Sequence, residues 1–472
     1  MVATSRIEVP SAWYNVTADL PFALPPDIPQ IRTPADPARQ EMGLPEGLKL
    51  QIPLALVRQM SSRQREIAIP DPVRERYRSW RPTPLVRALR LERQIGTRAR
   101  LYYKYEGGNG SGSHKLCTAL AQAYYYAQAG VERLTTGTGA GQWGTALAIG
   151  CQEFGLACKV YMVARSFREK PYRKTMMRLS RAEVVPSPSG DTAAGAALRA
   201  RAGLDAGNIA FAVTEALEDA LATPGTQLAV GSGEGYAILH STVLGLEARD
   251  QMSQDFGEAP DIVIGSLGAG SNFGGIAMPF VGDKIRHGSR VRCISVEPQG
   301  CPKLTRGAYR YDVTDGSGVT PLQKMYTLGS QFRTAGKHVG GLRYHACSKL
   351  ISALYHHRLI EAVAYGQSDV FASAARFYAA EGILPAPESA HAVHAAIREA
   401  QAADAEGRAP AILFCLSGHG LLDLSAYDEY LEGDLGDVEV TDDEIARSLA
   451  LVPDVPSPDR ARTDAVAVGR VG

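Results

Sequence analysis

Apolar positions along this chain fall into two rhythms that take turns. Short runs rich in β-branched and aromatic residues read as strands: Leu101 to Tyr105, Arg133 to Thr136, Lys159 to Val163, Val184-Val185, Ile209 to Val213, Ile262 to Ser266, Ile294 to Glu297 and Ala411 to Leu416. Longer Ala- and Leu-rich stretches between them read as helices: Val86 to Ile95, Leu116 to Ala129, one after Gly144 to about Phe154, 193–206, one that includes His240 and Glu247, and one from Phe273. Short strands alternating with helices of about 10–15 residues predict an α/β fold of parallel sheets flanked by helices. Ahead of this core, short helices are expected over Pro53 to Met60 and after Asp71-Pro72, with Asp71 as the cap. Residues 1–45 are Pro-rich without periodicity, which predicts an extended arm. Beyond Tyr430 the chain turns acidic; Thr441-x-x-Glu444 predicts a capping box, and from Val452 a disordered tail is expected.

Two glycine loops interrupt this alternation on either side of one helix. The first is Gly107-Gly108-Asn109-Gly110-Ser111-Gly112-Ser113, followed by His114-Lys115. The second is Gly137-Thr138-Gly139-Ala140-Gly141-Gln142-Trp143-Gly144. Each delivers free backbone N–H groups to a helix N-terminus, which suits anions. A lysine among such donors loses its proton more easily than in water, as a Schiff-base nucleophile must. Alone, a lysine at a helix start is a solvated charge; the flanking loops make Lys115 a candidate. A third loop, Gly268-Ala269-Gly270-Ser271-Asn272, sits between the strand Ile262 to Ser266 and a helix, as a phosphate cradle would. It has neither the Gly-Lys-Ser/Thr of a nucleotide loop nor GxGxxG spacing. Ser417 ends a strand, where a hydroxyl points into the crevice in which α/β sheets bind ligands.

Composition narrows the class. A chain of 472 residues suggests two domains. Hydrophobic content of 45% and charged content of 21% are those of an ordinary globular protein. Lys plus Arg and Asp plus Glu are both 50, so no global field points to nucleic acid or membrane. Arg165 to Arg181 holds seven Lys or Arg against Glu169, read as a solvated helix face. Seven scattered cysteines without a CxxC read as buried free thiols, and no metal site is expected. No signal pattern or membrane-length apolar run is seen, so a cytoplasmic protein is expected.

Ser-Gly-Ser-His-Lys115 followed by Thr138-Gly-Ala-Gly-Gln-Trp-Gly closely resembles the β chain of tryptophan synthase, best of all its second, stand-alone type. Trp13-Tyr14-Asn15, Ala18-Asp19-Leu20-Pro21, Arg81-Pro82-Thr83-Pro84-Leu85, Tyr326 to Gly329 and Gly340 to His345 extend the match from residue 13 to about 430. The resemblance implies the two-domain fold type II of enzymes using pyridoxal 5′-phosphate, with the active site between domains. It implies an arm over residues 1–80, a lysine domain at 114–240, a phosphate-loop domain at 81–113 and 241–432, and a tail at 433–472. Lys115 would carry the cofactor, and Gly268, Ala269, Gly270, Ser271 and Asn272 with His114 would hold its phosphate. Glu388 would lie near the ring and Ser417 would bond its nitrogen, favouring β chemistry over transamination. Thr138, Gly139, Ala140, Gly141, Gln142 and Trp143 would hold the amino-acid substrate. A homodimer is implied, and the stand-alone type argues against a partner α subunit.

One position departs from the family. The second loop there begins with a glutamate that helps the serine hydroxyl leave and orients indole; here that position is Gly137. Losing such a group typically costs about 10²–10⁴ in rate. Glu106, Glu234 or a water are conceivable substitutes, and a glutamate added at 137 is expected to raise tryptophan formation from serine. Three readings follow: β-replacement on serine or an activated serine through an aminoacrylate, giving tryptophan or a related β-substituted alanine; β-elimination of serine to pyruvate and ammonia; or a non-catalytic relative that binds the cofactor.

Overall fold

The computed structural model describes residues 7–28, 52–204, 207–315, 320–333 and 338–455. Two open sheets organise it. The larger has six strands in the order Glu361–Tyr365, Arg292–Pro298, Ile262–Ser266, Ala411–Leu416, Arg100–Tyr105 and Leu85–Arg87. Its neighbours are parallel except the edge pair, where Leu85–Arg87 runs antiparallel with Val86 opposite Tyr103. The smaller has four parallel strands, Glu183–Ser187, Ala157–Val163, Arg133–Thr138 and Thr226–Leu228. The predicted class, parallel sheets flanked by helices, is the one found.

Helices cover both faces of the larger sheet, which is why Ala411–Leu416 is apolar and buried along its whole length. Val263 and Leu413 face the helix Ser271–His287 through Phe273 and Ile276. Ile264 and Phe414 face the opposite side, where Phe377 and Val393 of two further helices pack. Each such side chain, once buried, contributes about 1.5–3 kcal/mol. All seven cysteines are buried and unpaired. Among the described residues no helix is long and apolar enough to cross a membrane, and no side-chain group could hold a metal ion.

Several elements differ from expectation. The run Val86 to Ile95 is split: Leu85–Arg87 joins the sheet edge, and the helix is Leu89–Ile95. β-Branched Val86 suits a strand, and the amide of Ala88 extends the ladder by donating to the Leu101 carbonyl. Ile209 to Val213 is not a strand but the opening of the helix Ile209–Ala222. The Asn208 side chain caps it by accepting from the Phe211 amide at 2.9 Å. Ala212, Ala216 and Leu217 then lie buried together at helical spacing. Over five apolar residues the two periods cannot be told apart, so the cap decides. The helix with His240 and Glu247 is two, Gly235–Ser241 and Val243–Phe256. Asp71 does not cap; it is the first residue of Asp71–Tyr77, after Pro70. The helix expected after Gly144 begins at Gln142, and the Ala-rich one ends at Ala202.

The basic stretch is not wholly a solvated face. Lys170 and Arg173 are buried, and both bond to buried Asp423, Arg173 Nη2 at 2.8 Å. Near the N-terminus, Ala12–Tyr14 pairs with Glu66–Ala68. The capping box forms: Thr441 N donates to Glu444 Oε2 at 2.8 Å and Glu444 N to Thr441 Oγ1 at 3.2 Å. The arm at 29–45 and the tail from 456 lie outside the described residues.

Candidate active site

Loops that follow the C-terminal ends of strands from both sheets converge on Lys115. They line two adjoining cavities. The first, about 500 Å³, is walled by His114, Lys115, Ser271, Asn272, Glu388 and Ser417 among others. The second, about 1040 Å³, has Gly137, Thr138, Trp143, Ile209, Val213 and Glu234 in its wall. Lys115, Gln142, Ser232 and Gly341 line both.

Lys115 directly precedes the helix Leu116–Gln128 as its N-cap. Burial lowers its amine to about pKa 8, against the opposing charge of Glu388. A substantial unprotonated fraction is therefore present near neutrality, as a nucleophilic or basic amine requires. Burial, and then the charge of Lys115, keep the neighbouring His114 ring far below its ordinary pKa, so it is neutral.

Ser271 opens the 17-residue helix Ser271–His287. Gly270 before it has φ +146°, a conformation open to glycine. The first-turn amides have no intrahelical partner and face the cavity end of the helix. Ser271 Oγ lies 3.2 Å from His114 Nε2 and 3.1 Å from Ser232 Oγ. Gly268 packs so tightly that a Cβ there would come within 2.4 Å of the Gly341 carbonyl oxygen. The Ala269 carbonyl accepts from the Ser348 amide at 2.8 Å. Asn272 donates to the Ser266 carbonyl at 3.1 Å.

Glu388 Oε1 accepts from Gln142 Nε2 at 2.9 Å and from the Gly341 amide at 2.8 Å. Ser417 Oγ lies 2.7 Å from Ser389 Oγ, and its carbonyl accepts from the His114 amide at 2.9 Å. In the second loop Thr138 ends its strand, Gly141 has φ +99°, and Gln142 begins the helix Gln142–Glu153. Gly139 and Ala140 pack on Gly340. Trp143 Nε1 donates to Thr136 Oγ1 at 2.7 Å, which turns its ring along the second cavity.

Gly137 is a surprise of packing. A Cβ there would lie 2.5 Å from Val213 N and 2.6 Å from the Ala212 carbonyl carbon. The helix Ile209–Ala222 thus rests directly on the strand, and a glutamate cannot simply be added. Glu106 is no substitute either. Its carboxylate bonds to Arg81 Nη1 at 3.0 Å and accepts from Thr83 Oγ1 at 2.5 Å, with no exposure.

Sequence reasoning missed four contributors. Arg173 reaches the first cavity from inside the basic stretch, whose other cations hide it. Gly341, Ser232 and Ser389 act through a backbone amide or small hydroxyls, which leave no distinctive spacing.

The donor set can be tested against a cofactor. Five buried polar atoms of residues on the first cavity have no hydrogen-bond partner among the described residues: Ser113 Oγ, His114 Nδ1, Arg173 Nε, Asn272 Oδ1 and Glu388 Oε2. Such atoms cost about 1–3 kcal/mol each if left so. With a low-pKa amine, a helix N-terminus for a dianion and a hydroxyl for a ring nitrogen, they fit a phosphorylated aldehyde cofactor of the pyridoxal type. Residues 77–418 match the family described as "Pyridoxal-phosphate dependent enzyme", and the chain belongs to that family.

Within it, the similarity is to proteins named "Tryptophan synthase beta chain 2". That of Methanosarcina acetivorans is 48% identical over 428 residues, 91% of this chain and 95% of the relative. Those of Aeropyrum pernix and Thermotoga maritima are each 49% identical, over 92% and 89% of this chain and 95% and 97% of theirs. At this likeness the expectations of a pyridoxal-phosphate cofactor and of a tryptophan synthase beta-like lyase stand. Among solved structures, the processed threonine deaminase isoform 2 of Solanum lycopersicum aligns with TM-score 0.56 and 18% identity, covering 74% of this chain and 87% of that one. A fungal L-serine ammonia-lyase from Rhizomucor miehei aligns with TM-score 0.56 and 14% identity, covering 74% and 97%. Both share the fold.

Proposed function

We propose that this lyase catalyses β-replacement on an activated serine, such as an O-phosphorylated or O-acylated one, making tryptophan or a related β-substituted alanine. The observation that carries this is Gly137: no acid stands there to protonate a departing hydroxide, and helix backbone fills the space a side chain would need. A donor whose leaving group is already stable needs no such help.

Pyridoxal phosphate, when bound, supplies the electron sink that acidifies the substrate Cα proton and loosens the β substituent. The residues fit the remaining tasks. Ser271, the amides of its helix turn and His114 hold the phosphate. Ser417 meets the ring nitrogen, and Glu388 stays beside the ring through Gln142 and the Gly341 amide. Amides of Thr138 to Gln142, at the start of a helix, hold the substrate carboxylate. Lys115, with its amine near pKa 8, takes the proton from Cα and later returns it. The second cavity, joined to the first at Lys115, receives the nucleophile. In this reading residues 114–240 carry the lysine and 81–113 with 241–432 the phosphate loop; the chain works in the cytoplasm as a homodimer without an α subunit.

The test is incubation of the purified protein with indole and either L-serine or O-phospho-L-serine, with products read by mass. Faster product formation from the phosphorylated donor supports the reading, and equal rates from both donors overturn it. Pyruvate and ammonia without a replaced product would establish the elimination reading. Bound cofactor with no turnover of either donor would establish the non-catalytic one.

A further inference from the structure

The second cavity has an apolar wall built from Ile209, Val213, Leu228, Val230 and Met325. One acid interrupts it, and among the described residues lining the cavity it is the only one: Glu234. Glu234 is half-buried. No hydrogen bond from its carboxylate to a described residue is formed, in contrast to Glu106 and Glu388, which are fully engaged or tied to an amide. A carboxyl group kept from bulk water and without a partner is costly unless something bonds to it. Glu234 lines only the second cavity and not the first, where Ser271 and Ser417 lie. It therefore addresses whatever occupies the second.

We propose that Glu234 accepts a hydrogen bond from an N–H group of the co-substrate in the second cavity, so that this cavity selects an apolar ring carrying an N–H. The proposal rests on the β-replacement reading for the occupant's role, and it assigns to Glu234 the recognition that no side chain at 137 can give. Burial raises the Glu234 carboxyl to about pKa 7, with the charge of Asp27 adding to the rise and Lys349 opposing it. Asp27 and Lys349 are themselves paired at 2.7 Å. The other titratable groups that feel Glu234 are the phenols of Tyr126, Tyr236 and Tyr344, whose pKa values all lie far above neutrality. Between pH 6 and 8, then, Glu234 changes charge while these neighbours do not. Arg343 also lines the cavity, and the Lys115 amine, near pKa 8, is the other group of the wall that titrates, so the Glu234→Gln comparison assigns the pH dependence. As the carboxylate, above about pH 7, Glu234 is the stronger acceptor.

The experiment is calorimetric binding to the cofactor-loaded enzyme without an amino-acid donor, so that no turnover is needed. Indole and benzothiophene serve as probes, alike in shape but differing in the N–H. A hydrogen bond to a charged group contributes about 1.5–3 kcal/mol, so at pH 8 indole should bind about 10- to 100-fold tighter. The preference should shrink at pH 6 as the carboxyl gains its proton. Glu234→Leu should bind both probes within roughly threefold of each other, and Glu234→Gln should keep part of the preference without its pH dependence. Wild-type protein with no N–H preference at pH 8 overturns the proposal, as does a preference that survives in Glu234→Leu. Because wild type and the Gln variant suffice, a Leu variant that fails to fold leaves the question decidable. Should the N–H preference hold while no donor yields a replaced product, the reaction reading falls and this one does not.

Discussion

Replacing Gly137 by alanine tests whether the missing side chain is a vacancy or a packed contact. The new methyl would start 2.5 Å from Val213 N, 2.6 Å from the Ala212 carbonyl carbon and 2.9 Å from its oxygen, where ordinary contact begins at 3.4 Å. The helix Ile209–Ala222 would have to recede by about 1 Å, the gap between those distances. It is not free to do so. Thr135 Oγ1 donates to the Ala216 carbonyl at 2.7 Å, Tyr161 bonds to Asp219 at 2.8 Å, and Arg133 bonds to Asp219 as well. Over-packing costs typically about 1–3 kcal/mol, and backbone cannot turn aside as a flexible side chain can, so the upper end applies. Urea unfolding should show a lower midpoint at unchanged slope, with a loss of about 2–3 kcal/mol. Gly137→Glu should lose at least as much. Because the displaced helix supplies Ile209 and Val213 to the second cavity, that variant should not gain tryptophan formation from serine, contrary to what the sequence suggested. An alanine variant with the wild-type midpoint, or a stable glutamate variant that makes tryptophan from serine faster, would refute this reasoning.

Borohydride reduction followed by peptide mapping should fix the cofactor on Lys115, and Lys115→Ala should lose that linkage; label on another lysine would exclude the assignment. In cofactor-free protein, acylation of Lys115 followed by mass spectrometry should rise with a midpoint near pH 8, since burial holds the amine there, whereas ordinary lysines respond near about 10.4. Gly270→Val should weaken cofactor retention on dialysis: at φ +146° a side chain is strained, and its Cβ would press within 3.2–3.3 Å of Ile238, Ser348 and Ile351. Asp423→Asn should cost about 3–5 kcal/mol in urea unfolding, because Lys170 and Arg173 stay buried without their counter-charge. Burial alone would raise the Asp423 carboxyl, but Arg173 and Lys170 outweigh it and hold it below the usual range. Its contribution is therefore complete above the ordinary carboxylate pKa and lost as pH falls through the lower folded value; the mutant should be less sensitive to acid in that window.

What the sequence disclosed and what it hid differ in kind. Lys115, Ser271 and Ser417 could be found because each stands at the junction of a glycine loop or strand with the next element, and such junctions are written locally. The strand Leu85–Arg87 could not, because its conformation is fixed by pairing with Tyr102–Lys104, and local apolar spacing there continues into a helix. Ile209 to Val213 failed for a related reason: the Asn208 cap is local, but the face that Ala212 and Ala216 bury is set by a distant sheet. Arg173 was hidden by its neighbours. Only the approach of Asp423, 250 residues away, separates it and Lys170 from the exposed cations of the same stretch.

The partners of Glu106, Glu388 and Glu234 decide what each carboxylate can do. Glu106 meets Arg81, Arg81 meets Glu247 and Glu247 meets Lys104, all four side chains at 0% exposure. Removing one member would strand a buried charge, so this set fixes the turn into the first glycine loop and is unavailable to a substrate. Glu388 spends one oxygen on Gln142 and the Gly341 amide, which ties the second loop to the 340 loop, and leaves the other without a partner at the wall of the first cavity. It can respond to the cofactor but cannot travel to a leaving group without breaking both bonds. Glu234 has no such ties. An acid missing from the strand end at Gly137 is therefore not replaced in place; the remaining freedom lies with Glu234 in the second cavity, which the proposed β-replacement gives to the nucleophile. That asymmetry is why the donor, and not the nucleophile, is the substrate whose chemistry should have changed.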